Sequence, residues 1–333
     1  MRAVTLVTYG DPEVLHLDDI PEPEVGPEEV LVDVVATAVN RADLLQRRGL
    51  YPEPGPKRDH EVPGMEFSGR VAEPGSRVRD WSVGQEVMGI VSGGAYAERI
   101  AIHERQLMAV PSTVGVADAA AIPEVWITAF DALVVQGGLT SGRTALIHAG
   151  ASGVGTAAIQ IAKLVGARVV TTSSGGKVDA CRQLGADATA DYRTQDFVPV
   201  TKEATGGVGA DVVLDVVGGD YLARNVEALA TGGTIVQVGV MGGGNATFNV
   251  GALLPKRARL VGTVLRARPL EEKVAITRRF AREVLPAFDH DDDHGRLHPV
   301  IDRRFPLEQI ADAHRHVETN ATIGKVLIDV VSP

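Results

Sequence analysis

The sequence predicts an α/β protein of two domains, one β-rich and one built on a doubly wound parallel sheet, and three observations lead there. The chain has 333 residues, 44% hydrophobic and 23% charged, which is long enough for two cores and too apolar for a disordered chain. From Met1 to about Pro111, short β-like runs are broken by turn residues. After about Ala117 the rhythm changes to helical segments, each followed by a short apolar strand, which is the pattern of a parallel sheet.

The elements follow in chain order. Glu28–Val39 (EEVLVDVVATAV), Phe67–Val78 (FSGRVAEPGSRV) and Gly84–Val91 (GQEVMGIV) read as strands punctuated by Gly69, Gly75 and Gly84. Tyr51–Gly64 (YPEPGPKRDHEVPG) has too many breakers for helix or strand and reads as a surface loop. A helix over Val125–Val135 ends at Gly137-Gly138, and TALIHA is strand 1 of the parallel sheet. Val154–Val165 is helix, ARVVTTS strand 2, Lys177–Leu184 helix and DATADY a short strand 3. DVVLDVV is strand 4, Leu222–Ala230 helix and GTIVQVGV strand 5. A helix over Glu272–Leu285, an acidic loop and a final strand KVLIDVV complete the chain. That last strand is expected to return to the first domain, because a sheet edge left open is a liability.

Composition excludes several functions. Lysine plus arginine total 33 against 43 aspartate plus glutamate, a net charge of −10, and no basic run offers a nucleic-acid footprint. The single cysteine, Cys181, makes no internal disulfide and cannot supply the thiolates of a zinc lobe. No stretch approaches the ~18 apolar residues of a membrane span, and the N-terminus lacks a signal-peptide core, so a cytoplasmic protein is expected. The DHDDDHG loop at Asp289–Gly295 carries ligand-type residues but reads as solvated charge.

Strand 1 runs into Gly150-Ala151-Ser152-Gly153-Val154-Gly155, with a helix opening behind it. The glycines permit a tight turn, close approach of a pyrophosphate and close helix–strand packing, and the helix start offers N–H groups and positive dipole. The spacing is GxxGxG. An NAD site would place an acid about 20 residues on, at the end of strand 2. The sequence instead offers Thr172-Ser173-Ser174-Gly175-Gly176-Lys177 and, after strand 3, Tyr192: hydroxyls and a cation suited to a 2′-phosphate. NADPH is the expected cofactor, with a solvated helix-start lysine as the alternative for Lys177.

The segments AVNRADLLQRRGLYP, VPGMEFSGRV, GGAYAE, HAGASGVGTAAIQIAK, DVVLDVVGG and GTVLRARP, in this order, resemble the zinc-free quinone oxidoreductases of the medium-chain dehydrogenase/reductase superfamily, the zeta-crystallin-like group. The likeness spans essentially the whole chain and is closest to the apoptosis-inducible branch, through the Tyr51 loop and the Ile323-Gly324-Lys325 ending. It implies a GroES-like catalytic domain at 1–122 and 266–333, a Rossmann NADPH-binding domain at 123–265 and a homodimer. Zinc-dependent relatives carry Cys where this chain has Asn40 and His where it has Met65, and neither Asn nor Met suits zinc, while Glu66 remains without companion ligands. No metal is expected. An acceptor reduced without a Lewis acid must be intrinsically electrophilic, such as a quinone, with a conjugated enone or alkenal as the rival substrate and a non-catalytic NADPH sensor as the rival class.

By the same likeness the cofactor contacts are Asn40, Thr128, Ser152, Gly153, Val154, Ser173, Lys177, Tyr192, Gly239, Met241, Leu265, Arg266 and Asn320, beside Gly150, Gly155 and Ser174 of the two turns. Asn40 is implied to lie near the nicotinamide amide, and Tyr51 to border the quinone, stacking on it, donating a proton, or only shielding the site. Asp43 either orients Asn40 or caps the helix begun by ADLLQRR, with the cap the better reading.

Overall fold

The computed structural model describes residues 1–55, 60–290 and 297–331 and separates into two units. The first comprises Met1–Glu124 and Leu265–Pro333, the second Val125–Val264.

The first unit opens with an antiparallel pair, β1 (Arg2–Leu6) and β2 (Leu15–Asp19). The valine-rich run then forms β3 (Glu29–Val39), followed by α1 (Arg41–Arg47), β4 (Glu66–Pro74), β5 (Glu86–Ile90), β6 (Arg99–His103) and β7 (Leu107–Ala109). β3 pairs with both β4 and β6, and its Val30, Val32 and Val34 are buried, which is where β-branched residues pack best. Gly69 on β4 is required by this pairing, since a Cβ there would lie 2.1 Å from the Asp33 carbonyl oxygen.

The second unit begins in α2 (Pro123–Phe130), which continues as a π-helical turn over Asp131–Gln136. There follow β8 (Thr144–Ile147), α3 (Gly153–Leu164), β9 (Arg168–Ser173), α4 (Val178–Gln183), β10 (Ala188–Asp191) and α5 (Phe197–Ala204). β11 (Ala210–Asp215), α6 (Tyr221–Ala228), β12 (Leu229–Gln237), α7 (Leu253–Lys256) and β13 (Arg259–Gly262) complete it. All neighbours pair parallel, in the order β10-β9-β8-β11-β12-β13. This is the doubly wound Rossmann order, whose strand direction of progress reverses between β8 and β11. Four elements differ from the sequence expectation, two of them helices it did not place: α5, which buries Phe197 and Thr201 after β10, and the single-turn α7 before β13. β13 is a sixth strand, a short and largely exposed outer edge with no apolar run to announce it, and α6 stops at Ala228, where the chain goes straight into β12.

The chain then returns to the first unit with α8 (Leu270–Glu283), β14 (Ile301–Pro306), α9 (Ile310–Glu318) and β15 (Lys325–Asp329). β15 pairs antiparallel with β3 and parallel with β14, giving a seven-stranded sheet in the order β14-β15-β3-β4-β5-β7 with β6 on β3. The final strand thus closes the GroES-like sheet of the first unit. α9 was not anticipated, although Ile310, Ala313, His314 and Val317 are buried at helical spacing. Of the acidic loop, Asp289 accepts hydrogen bonds from Ser112 Oγ and Thr113 N, at 2.9 and 3.1 Å, and 291–295 lie outside the described residues. No helix among the described residues is long and apolar enough to cross a membrane.

Candidate functional site

In the second unit the chain leaves β8 through His148 and Ala149 into the glycine turn. Ser152 is the N-cap of α3, its Oγ accepting from Gly155 N at 3.0 Å. A Cβ on Gly155 would sit 2.3 Å from the Ala149 carbonyl oxygen, and one on Gly150 would sit 2.8 Å from Thr171 Cβ. Both positions admit only glycine. Ala149 itself holds φ at 54°, a left-handed conformation that costs a residue with a Cβ about 1 kcal/mol. Gly153 and Val154 open the first turn of α3, whose N–H groups have no intrahelical acceptors.

A buried network beneath the turn supports it. Asn225 Nδ2 donates to Asp215 Oδ2 at 2.8 Å, which turns Asn225 Oδ1 toward His148 Nε2 at 2.7 Å. His148 Nε2 must therefore donate, leaving Nδ1 to accept from Thr172 Oγ1 at 3.1 Å. Burial lowers the His148 pKa and keeps the ring neutral, as this arrangement requires. The network ties the ends of β8, β9 and β11 together. Its members His148, Asp215 and Asn225 escaped the sequence, because their association is a matter of strand order and not of spacing.

At the end of β9, Ser173 is buried and Ser174 caps the short turn Gly175–Lys177, with Lys177 N donating to Ser174 O at 2.8 Å. Tyr192 follows β10, its N–H on Ser173 O at 3.1 Å and its side chain 48% exposed. Ser173, Ser174, Lys177 and Tyr192 thus meet at one corner of the sheet. A carboxylate is also there: Asp191 Oδ2 lies 2.5 Å from the place a Cβ on Gly175 would take, and Asp191 Oδ1 accepts from Arg193 N at 3.1 Å. Cys181, on α4, is buried and its thiol pKa is raised by that burial. Gly239 and Met241 follow β12, with Met241 N on Val216 O at 3.2 Å, and Thr128 is buried on α2.

In the first unit Asn40 ends β3 and caps α1. Its backbone N–H donates to Asp43 Oδ2 at 2.7 Å, so Asp43 closes the start of the helix. The Asn40 side chain turns elsewhere: Nδ2 donates to Glu66 Oε1 at 2.8 Å, and Oδ1 accepts from Lys325 Nζ at 2.6 Å. Lys325 Nζ also lies 2.7 Å from Glu66 Oε1, while Glu66 Oε2 accepts from Glu124 N at 2.8 Å. Glu66 therefore has partners, but they are an amide and an ammonium. Lys325 had no role assigned from the sequence; it lies on β15, and its partners come from the end of β3 and the start of β4.

Asp43 also accepts from the Tyr96 hydroxyl at 3.0 Å, and the Tyr96 oxygen lies 3.3 Å from His314 Nε2. An ionised carboxylate only accepts, so Tyr96 donates to it and His314 Nε2 donates to Tyr96. His314 Nδ1 is then the bare acceptor, and it is indeed buried without a partner, as is Asp43 Oδ1. Burial raises the Asp43 carboxyl to about 6 and lowers His314 to about 3.

Tyr51 and Arg266 are brought together. The Arg266 guanidinium lies 5.1 Å over the Tyr51 ring and donates to Tyr51 O at 3.2 Å, Ser92 O at 2.6 Å and Gln46 Oε1 at 2.7 Å. Its side chain is a clamp on the loop start. Burial raises the Tyr51 phenol pKa, so it stays protonated. Leu265, beside Arg266, is buried, and Asn320, in the left-handed region at φ 55°, accepts from Arg41 Nη2 at 2.6 Å.

Comparison with known proteins agrees with this layout. Residues 26–112 match the family described as alcohol dehydrogenase GroES-like domain, and residues 153–280 the family described as zinc-binding dehydrogenase. The NADPH-dependent alkenal/one oxidoreductase of Arabidopsis thaliana is 31% identical over 98% of this chain and 79% of its own length. The chain belongs to the medium-chain dehydrogenase/reductase superfamily. The 2-methylene-furan-3-one reductase of Solanum lycopersicum is 34% identical over 59% of this chain, and the match spans 53% of that protein, about half its length. Among solved structures, an NAD-dependent alcohol dehydrogenase is 31% identical with a TM-score of 0.84, covering 99% of this chain and 100% of its own. The quinone oxidoreductase from Coxiella burnetii is 30% identical with a TM-score of 0.79, covering 99% of each chain. Membership of this superfamily implies a nicotinamide cofactor, and the glycine turn, whose close packing excludes side chains, fits one.

Although one superfamily description names zinc, the residues here do not fit it. Asn40 and Met65 offer no donor suited to zinc, and the Glu66 carboxylate is already held by an ammonium and an amide. Among the described residues no three His, Cys, Asp or Glu side chains gather as a ligand set.

Proposed function

We propose that this protein is an NADPH-dependent quinone reductase that works without a metal. The observation that carries the reading is the Asn40–Glu66–Lys325 cluster, which leaves no competent zinc ligands at the positions where metal-dependent relatives place them. Without a Lewis acid the acceptor must already be electrophilic, and a quinone is. A nicotinamide held there would supply a hydride from C4, which with one proton would take a quinone to its hydroquinone. Ser173, Ser174, Lys177 and Tyr192 hold the 2′-phosphate in this reading; Lys177 contributes the charge and the hydroxyls the acceptor-specific geometry. Gly150, Ser152, Gly153, Val154 and Gly155 receive the pyrophosphate, with Thr128, Gly239 and Met241 further along the cofactor. Asn40 would hold the carboxamide, with Leu265, Arg266 and Asn320 as further contacts in this reading. Tyr51, kept protonated and held by Arg266, borders the quinone, and solvent supplies the proton.

A second reading, reduction of enones or alkenals, is supported by the full-length likeness to the Arabidopsis alkenal/one oxidoreductase. Asp191 at the phosphate corner is the feature that would favour NADH. One assay separates these: NADPH and NADH consumption with an ortho-quinone, a para-quinone and an α,β-unsaturated ketone, each against a control without acceptor. Quinone-dependent loss of NADPH, with NADH much slower, is expected. Faster turnover of the enone would move the assignment to the second reading, and silence with all acceptors despite NADPH binding would leave a sensor. The protein is further proposed to act as a cytoplasmic homodimer; β13, the outer strand, leaves Leu260 46% exposed, and sedimentation velocity tests it.

A further inference from the structure

We propose that the buried Lys325–Glu66 ion pair is a positioning device that locks the Asn40 side-chain amide in one of its two orientations, so that the amide presents one N–H and one carbonyl lone pair to a primary carboxamide, the polar end of nicotinamide. This rests on the cofactor reading above and goes beyond it in naming residues that need not touch the cofactor. Lys325 is 4% exposed and Glu66 fully buried, so both charges have lost their water. The ammonium donates to Val39 O at 3.2 Å and Asn40 Oδ1 at 2.6 Å, and it lies 2.7 Å from Glu66 Oε1.

The lock follows from valence. An ammonium only donates and a carboxylate only accepts. Asn40 Oδ1 must therefore face Lys325, and Nδ2 must face Glu66. Rotating the amide by half a turn would set N–H against ammonium and oxygen against carboxylate, two repulsions in a site without water. With those bonds made, Asn40 keeps one N–H and one lone pair by valence, and the residue is 6% exposed. A carboxamide offers the matching acceptor and donor. The Asn40 backbone is fixed as well, through Asp43.

The test compares NADPH with 2′-phospho-ADP-ribose, which has every part of the cofactor except nicotinamide. Affinities of both are measured by titration calorimetry on the full chain, for wild type, Asn40→Ala, Lys325→Met and the double variant Lys325→Met/Glu66→Gln. Lys325→Met alone leaves a buried carboxylate uncompensated and is apt to unfold; the double variant removes both charges and leaves a neutral amide that accepts either orientation. Asn40→Ala is expected to bind NADPH about tenfold more weakly, the loss of a hydrogen-bonded pair, and the double variant about two- to threefold more weakly, since the cofactor must then select one of two amide orientations, while binding of the fragment is unchanged in both. If Asn40→Ala weakens NADPH and the double variant does not, the positioning role is overturned while the cofactor reading stands. If the double variant loses both ligands equally, the pair is merely structural and the inference fails. If Asn40→Ala leaves NADPH unchanged, the cofactor reading of Asn40 fails, and the inference with it.

Discussion

Asp43 offers the sharpest test of the electrostatics in the first unit. Burial raises its carboxyl from 3.8 to about 6, against the hydrogen bonds from Asn40 N and Tyr96 that favour the charge. An acid whose folded-state pKa is raised holds its proton more tightly in the native protein. Its stabilising contribution is therefore complete below pH 3.8 and lost as pH rises through about 6. The full difference corresponds to about 3 kcal/mol, of which about 2 kcal/mol falls between pH 7.5 and 4.5. His314 acts in the opposite sense: its ring is lowered from 6.5 to about 3, so it costs stability as pH falls through that window. The two oppose each other in wild type, so a simple pH profile reports neither alone. Asp43→Asn removes one and keeps the other. Its oxygen still accepts from Asn40 N and Tyr96, and its NH₂ takes the place of the unpartnered Oδ1, a cost independent of pH. Urea unfolding of both proteins across pH 4.5–7.5 should show wild type gaining about 2 kcal/mol on the variant toward acid. A difference that stays flat within about 0.5 kcal/mol would refute the claim that burial loads this carboxyl.

Other consequences can be checked independently. Lys177→Ala should weaken NADPH by about tenfold or more and leave NADH nearly unchanged, measured by cofactor fluorescence; equal losses would mean that Lys177 does not read the phosphate. Gly155→Ala drives a methyl into the Ala149 carbonyl, so a loss of about 1–3 kcal/mol in thermal unfolding and no measurable NADPH binding are expected. Arg266→Met releases Tyr51, Ser92 and Gln46 together, and should raise the KM for quinone more than the Kd for NADPH. Dialysis against a chelator should leave activity intact, and restoration of lost activity by zinc would count against the metal-free mechanism.

Much of this architecture was legible because it rests on local chemistry. The change from turn-broken β runs to helix-and-strand alternation marks the passage into the parallel sheet, since a period of two or a buried apolar run is written in consecutive residues. The glycine turn was legible for the same reason: Gly150 and Gly155 are needed where backbone atoms approach to within a methyl's width, and a residue lacking a Cβ declares itself. What escaped was short or exposed. β13 has four residues on an open edge, and α9 hides its apolar stripe behind histidine and arginine. The acid at the phosphate corner was missed because Asp191 reaches Gly175 from the adjoining strand.

By itself, then, the sequence determined the two-part α/β plan, the turn fit for a dinucleotide, and the absence of zinc-competent residues at Asn40 and Met65. Tertiary structure alone decided what stands in their place. Lys325 comes from the last strand, 285 positions from Asn40, and Glu66 from another; only the pairing of β15 and β4 on the two sides of β3 brings the ammonium, carboxylate and amide together. The same holds for Tyr96, Asp43 and His314, and for His148, Asn225 and Asp215. Such buried polar groups must find partners wherever the fold supplies them, and no spacing along the chain encodes which partners those are.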